Sequence, residues 1–284
     1  MRSAPTVMRA IAERNSSQEA RAWLRAVPGT RLQPYTPAQV AFARDAWPLR
    51  AAEELRSALI FRALAQASER SPICAGWRDQ FVAAAHDEVF HAQLCAAIGA
   101  RTGAPLPAYD AGPVHVRLAP LADPTQRATA LALVEVAIGE TISLALFRAG
   151  RRAAREPLAR AALERILSDE VRHQRLGWAA VTAWWPALAP NQREHLQEQA
   201  RTSLGAMEQQ IAAPALRRLE ANVAFDPRYA ELGVLSPESR VDAFYAAVER
   251  LVIPRLTRLG LDGARAWRDR YASSGGAPPH TTRR

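Results

Sequence analysis

Apolar residues recur along most of this chain at three- and four-residue spacing, the period of helices buried on one face. Prolines punctuate the pattern. Residues 1–36 read as a short amphipathic N-terminal helix and a loop ending near Pro34. Pro37 and Pro48 both stand where a helix can begin, because the first helical position needs no backbone donor. The pattern from Pro48 to about Gln66 is helical, and Ser71-Pro72 breaks it. A second helix is predicted from about Trp77 to Ala100. Gly103 to Leu121, with Pro105, Pro107, Pro113 and Pro120, is a long connection. Asp123-Pro124 opens a third helix reaching about Arg152, and Pro157 opens a fourth that ends near Trp185. One long link between the second and third helices is what an up-down-down-up bundle requires.

A fifth helix is predicted from about Asn191 to Asn222, followed by a loop. Ser236-Pro237 opens a sixth that Pro254 ends or kinks, and a short last helix covers about Asp262 to Tyr271. The expected organisation is all-α: an N-terminal helix and loop (1–36), a four-helix bundle (37–186), C-terminal helices packed on it (187–272) and a disordered tail (273–284).

Composition agrees. Ala, Leu, Arg and Glu dominate and strand formers are sparse. The net charge is +9, yet the 37 basic residues are all Arg and are spread along the chain. A nucleic-acid face would gather them on one side, so nucleic acid is disfavoured as a partner. Cys74 and Cys95 form no CxxC pair, which argues against a disulfide framework or a cysteine zinc site. The N-terminus has no continuous apolar core, and Glu135 and Glu140 interrupt the most apolar helix. The expected location is the cytoplasm, with no membrane.

Chemistry enters with two related pentapeptides, Asp87-Glu88-Val89-Phe90-His91 and Asp169-Glu170-Val171-Arg172-His173. Each puts Glu and His three residues apart on a helix, so both side chains can reach one ion. With 18 Glu and 6 His, random placement gives roughly 0.4 such pairs. Surface Glu–His pairs are the plainer reading, but the neighbours oppose it. Phe81, Ala84, Ala85, Ala92 and Cys95 share the Glu88 face, and Leu163, Ile166 and Leu167 share the Glu170 face. Charged groups in apolar stripes are costly unless paired or bound to metal.

Di-iron bundles add one Glu from each of the other two helices. On the first helix Glu54 shares its face with Trp47, Ala51, Ala58 and Phe61, whereas Glu53 lies with Arg50 and Arg56 at surface ion-pair spacing. On the third helix a hairpin turning near Arg155 sets Glu140 and Glu170 about 15 residues from the turn on either side. Glu135 falls about 7 Å off that level at ~1.5 Å per residue, behind the ligands or facing a pocket. A buried polar pair is its structural alternative. Asp87 and Asp169 are candidates to hold the ligating His rings or a nearby Arg; for Asp169, a surface pair with Arg165 is equally weighted.

Glu54-x-x-Ser57-Ala58, Asp87-Glu88-x-x-His91, Gly139-Glu140-Thr141 and Asp169-Glu170-x-x-His173, followed by Leu176-Gly177-Trp178, resemble the bacterial ferritin-like-domain proteins of the wider ferritin-like di-iron carboxylate superfamily. The resemblance covers roughly residues 45–185. It implies a four-helix bundle with two iron ions, or manganese as the second choice, held by Glu54, Glu88, His91, Glu140, Glu170 and His173. The set is specific for di-iron carboxylate binding and not for a reaction. The expected function is an oxygen-dependent oxidase or oxygenase acting on a small organic molecule, with dioxygen and an electron donor as partners and a homodimer allowed. The alternative is a non-enzymatic iron-binding or iron-handling protein.

Overall fold

The computed structural model describes residues 16–27, 32–33, 35–101 and 121–272. The predicted tail, almost all of the long second connection and the first 15 residues lie outside them. The described residues are helical, with no strand among them.

Helices α1 (Ser16–Ala26) and α2 (Pro37–Glu69) come first. Thr36 caps α2: its hydroxyl accepts from the Gln39 N–H, and the Gln39 side chain accepts from the Thr36 N–H at 2.9 Å. The helix runs through Pro48 instead of restarting there, a correction to the proline reading. An interior proline costs about 3 kcal/mol. Here tertiary packing on both sides of it prevails. Ala43, Trp47 and Ala51 are buried, and the Trp47 indole donates to Leu232 O at 3.1 Å.

Then follow α3 (Arg78–Arg101), α4 (Pro124–Ala153), α5 (Pro157–Trp184), α6 (190–220), α7 (Pro227–Glu231), α8 (237–259) and α9 (Gly263–Arg268). The expected loop before residue 236 thus holds the short helix α7. Helix α2 packs along α3, α4 along α5, and α3 meets α5; α8 covers the second half of α4, and α9 lies on α6. Helix α4 has the length and apolarity of a membrane span, and 78% of its apolar window is buried inside the fold.

Three helices widen into a π turn: α4 at Ala132–Ile138, α6 at Glu208–Ala212 and α8 at Val248–Val252. The last two precede Pro214 and Pro254. A wide turn there absorbs the missing proline donor, so α8 continues past Pro254 to Leu259 where the sequence suggested an end or a kink.

Two apolar clusters form the core. One contains Phe61, Leu64, Phe81, Leu133, Val181 and Trp184. The other contains Trp47, Ala51, Leu94, Leu158, Leu163 and Ile166. Along α2, α3 and α5 a polar residue sits where one cluster gives way to the other: Glu54, Glu88 and Glu170. The apolar layers therefore sandwich one buried polar layer.

Candidate metal centre

Glu54 comes from α2, Glu88 and His91 from α3, Glu140 from α4, and Glu170 and His173 from α5. All six are buried, Glu88, His91 and His173 to 1% exposure or less. One ligand atom from each of Glu54, Glu88, His91 and Glu170 lies within 4.8 Å of the others, a grouping that can hold a metal ion. His91 Nδ1 is 3.4 Å from Glu88 Oε2, 3.4 Å from Glu170 Oε1 and 3.7 Å from Glu54 Oε2. His173 Nδ1 is 2.8 Å from Glu88 Oε1 and 3.8 Å from Glu170 Oε2. Glu88 and Glu170 thus each face both imidazoles. Glu140 is buried beside them, close enough to Glu170 and Glu88 for their charges to act on it; Glu140 and His173 are not in the four-residue grouping.

The outer ring nitrogens are held crosswise. His91 Nε2 lies 3.1 Å from Asp169 on α5, and His173 Nε2 lies 3.1 Å from Asp87 on α3. Each carboxylate can hold the proton on Nε2 and leaves Nδ1 facing the centre, so that loss of the Nδ1 proton gives the arrangement of a metal-ligating histidine. Arg172 donates to Asp87 at 2.6 Å and to Asp169 at 3.2 Å, and Arg165 also pairs with Asp169. The two readings of Asp169, ring holder and partner of Arg165, are therefore both realised.

Burial pushes the Glu54 carboxyl well above the usual range, and the neighbouring Glu88 and Glu170 push it further against the pull of His91. Glu140 is raised by burial and by Glu170 and Glu88. Burial would lift Glu88 too, but the imidazoles of His173 and His91 outweigh it and hold its carboxyl below the ordinary value. For His173 burial opposes charging, and Glu88 and Asp87 overcome it, raising the imidazole to about 10. His91 is raised well above its ordinary value against burial, by Asp169 first, then Glu170, Glu54 and Glu88. Protons thus supply the positive charge that the carboxylates demand, and a cation among them would replace those protons.

The donor atoms fit a metal. Both Glu88 oxygens, Glu170 Oε2 and the Nδ1 atoms of His91 and His173 are buried, make no well-aligned hydrogen bond and face one another, at 2.8 to 3.8 Å. Such orphans are few in folded proteins, and these converge on one point. Carboxylate oxygen and imidazole nitrogen without thiolate suit iron or manganese. Both cysteines are free and buried.

The π turn in α4 was not legible in the sequence. On a regular α-helix Glu135 and Glu140, five residues apart, point about 140° from each other. The π turn bonds Gly139 N–H to Val134 O, five residues back, and brings both acids to one side. Both line a cavity of about 160 Å³. Glu135 pairs there with Arg56 at 3.0 Å, so its two alternatives, pocket and buried pair, both hold. Arg56 therefore does not serve Glu53, which is exposed. Arg50 turns instead to Gly233 O at 3.3 Å and the Trp47 ring.

The Gly177-Trp178 pair holds α5 against this turn. A Cβ on Gly177 would stand 2.7 Å from Ala137 N. The Trp178 indole donates to Thr141 Oγ1 at 2.9 Å, one residue beyond Glu140.

Comparison with known proteins finds no matching family model, no matching curated protein and no matching solved structure. Helices and a buried Glu/His cluster able to bind metal are what sequence and structure establish.

Proposed function

We propose that this chain is a ferritin-like di-iron carboxylate protein, and that it couples reduction of dioxygen to oxidation of a small organic molecule. The observation that carries the reading is the convergence of buried donor atoms from Glu88, Glu170, His91 and His173 that face one another and lack well-aligned hydrogen bonds, with buried Glu54 and Glu140 beside them. Four carboxylates match the charge of two divalent ions, and iron bound there would supply electrons to dioxygen. The chain's own residues do the rest. Glu88 and Glu170 lie between the two imidazoles, where each can serve two ions. Asp87 and Asp169 orient the rings. Phe61, edge-on to His173 at 5.2 Å, and the apolar layers on either side keep bulk water away. The cavity beside Glu140 gives a small substrate a place next to the centre.

An iron-handling role uses the same six residues. The two are separated by anaerobic loading with Fe(II) followed by oxygen. Two irons per chain and no mineral support the oxidase. A ferric core of many irons per chain overturns it in favour of iron handling. Protein that takes up neither iron nor manganese removes both.

A further inference from the structure

The cavity beside Glu140 is lined by groups of different chemistry. Ile60, Ile142, Leu146 and Ile211 give it an apolar wall, and Glu140 joins it to the buried Glu/His cluster. Arg240 of α8 also lines it, as does Arg56. Arg56 is committed to Glu135. Arg240 has no hydrogen-bond or ion-pair partner for its guanidinium among the described residues, although burial holds that group below its ordinary pKa. The charges that act on it are Arg50, which adds to the strain, and exposed Glu53, which relieves it. Glu53 also lines the cavity but forms no ion pair with Arg240, so a part-buried guanidinium is left able to take an anion beside an apolar wall.

We infer that the cavity binds a small organic carboxylate, its carboxylate on Arg240 and its apolar body against the isoleucine wall, pointing toward Glu140. The planar guanidinium matches a carboxylate through two parallel N–H···O bonds. One uncommitted arginine suits one negative charge better than the greater charge of a phosphate. A volume of about 160 Å³ is that of a cavity which takes a benzene-sized body, so the class is a single-ring or short-chain acid. This rests on the di-iron reading only for the acid being the substrate; the binding claim rests on the cavity and Arg240.

The test is calorimetric titration of the full chain with benzoate and with benzamide, which has the same shape and no charge, measuring metal per chain on the same samples. Benzoate binds at least about tenfold more tightly than benzamide. Arg240→Gln removes that preference, Arg240→Lys keeps part of it, and Ser143→Leu, which adds bulk to a residue lining the cavity, abolishes both titrations. Metal content and melting temperature stay near wild type in the Arg240 variants. Equal binding of the two probes, or benzoate binding that survives Arg240→Gln, overturns the inference. Metal-loaded protein that ignores benzoate removes the carboxylate site and leaves the di-iron reading standing. Metal-free protein that binds benzoate through Arg240 does the reverse.

Discussion

Asp169 Oδ2 lies 3.1 Å from His91 Nε2, and the two residues belong to different helices. The mirror contact, Asp87 to His173 at 3.1 Å, runs the opposite way between the same two helices. Each Asp-Glu-x-x-His segment therefore contributes one Glu and one His to its own side of the centre and steadies the histidine of the other segment. This predicts that Asp169→Asn, which keeps the shape and removes the charge, weakens metal binding by about 10- to 100-fold. Asp87→Asn should act alike. Chelator competition followed by metal analysis measures it. Unchanged affinity in both variants would remove the reciprocal support from the account.

Removal of an inward donor is more severe. Glu170→Ala and His173→Ala should each reduce bound metal at least about tenfold at fixed free metal, since they leave the remaining donors without the geometry that one ion needs. Glu53→Ala should leave metal content unchanged, because Glu53 is exposed and points about 100° around α2 from Glu54. A large loss in Glu53→Ala would reverse the assignment on that helix.

The burial of the six side chains was legible because three-residue spacing on a helix is fixed by backbone geometry and because apolar neighbours mark the buried face. Hairpin counting favoured Glu140 over Glu135, and the π turn brings both to one cavity. What failed were the inferences in which a local rule competed with tertiary packing. Pro48 read as a helix start, yet Trp47 and Ala51 are packed so fully that the helix passes through it. Arg56 read as a partner of Glu53 three residues away, yet it reaches Glu135 on another helix. A buried carboxylate gains more from a cation than an exposed one does. The π turn had no local signal, since it answers to the approach of α5 at Gly177.

That approach yields the third prediction. Gly177→Ala places a methyl group 2.7 Å from the Ala137 amide nitrogen, which is backbone and cannot swing aside. Helix α4 must move, at a cost of about 1–3 kcal/mol. Glu140 lies three residues beyond the contact, so metal affinity should fall together with the melting temperature. A variant as stable as wild type, with full metal content, would show that the helices separate freely there.

The Arg56–Glu135 pair tests the wall of the cavity. Glu135 is buried, with Oε1 already lacking a hydrogen bond, and Arg56 satisfies its other oxygen. Arg56→Gln should destabilise the fold by about 1–3 kcal/mol, because the acid loses its one charged partner while remaining inside. The double variant Arg56→Gln with Glu135→Gln should recover part of that loss. Denaturant unfolding of the two single variants and the double variant measures the coupling; additive losses would mean that the pair contributes no interaction of its own.

The last prediction concerns how the C-terminal helices are fastened. Glu208, buried in the π turn of α6, accepts from Tyr245 at 2.6 Å and from Tyr271 at 2.7 Å, and it pairs with Arg270. Burial and then the Glu208 carboxylate raise the Tyr271 phenol to about 12 and push Tyr245 higher still. Burial and Glu231 likewise raise Tyr35 to about 12. A phenol whose pKa is higher folded than unfolded contributes its full stability below about 10, the unfolded value. The contribution is lost as pH rises toward about 12, because the unfolded chain gives up the proton first. Melting temperature should therefore decline between those limits. Tyr271→Phe should be less stable than wild type near neutral pH and should show a shallower alkaline decline, since one of the ionising groups is gone. A parallel decline in wild type and variant would exclude Tyr271 as its cause.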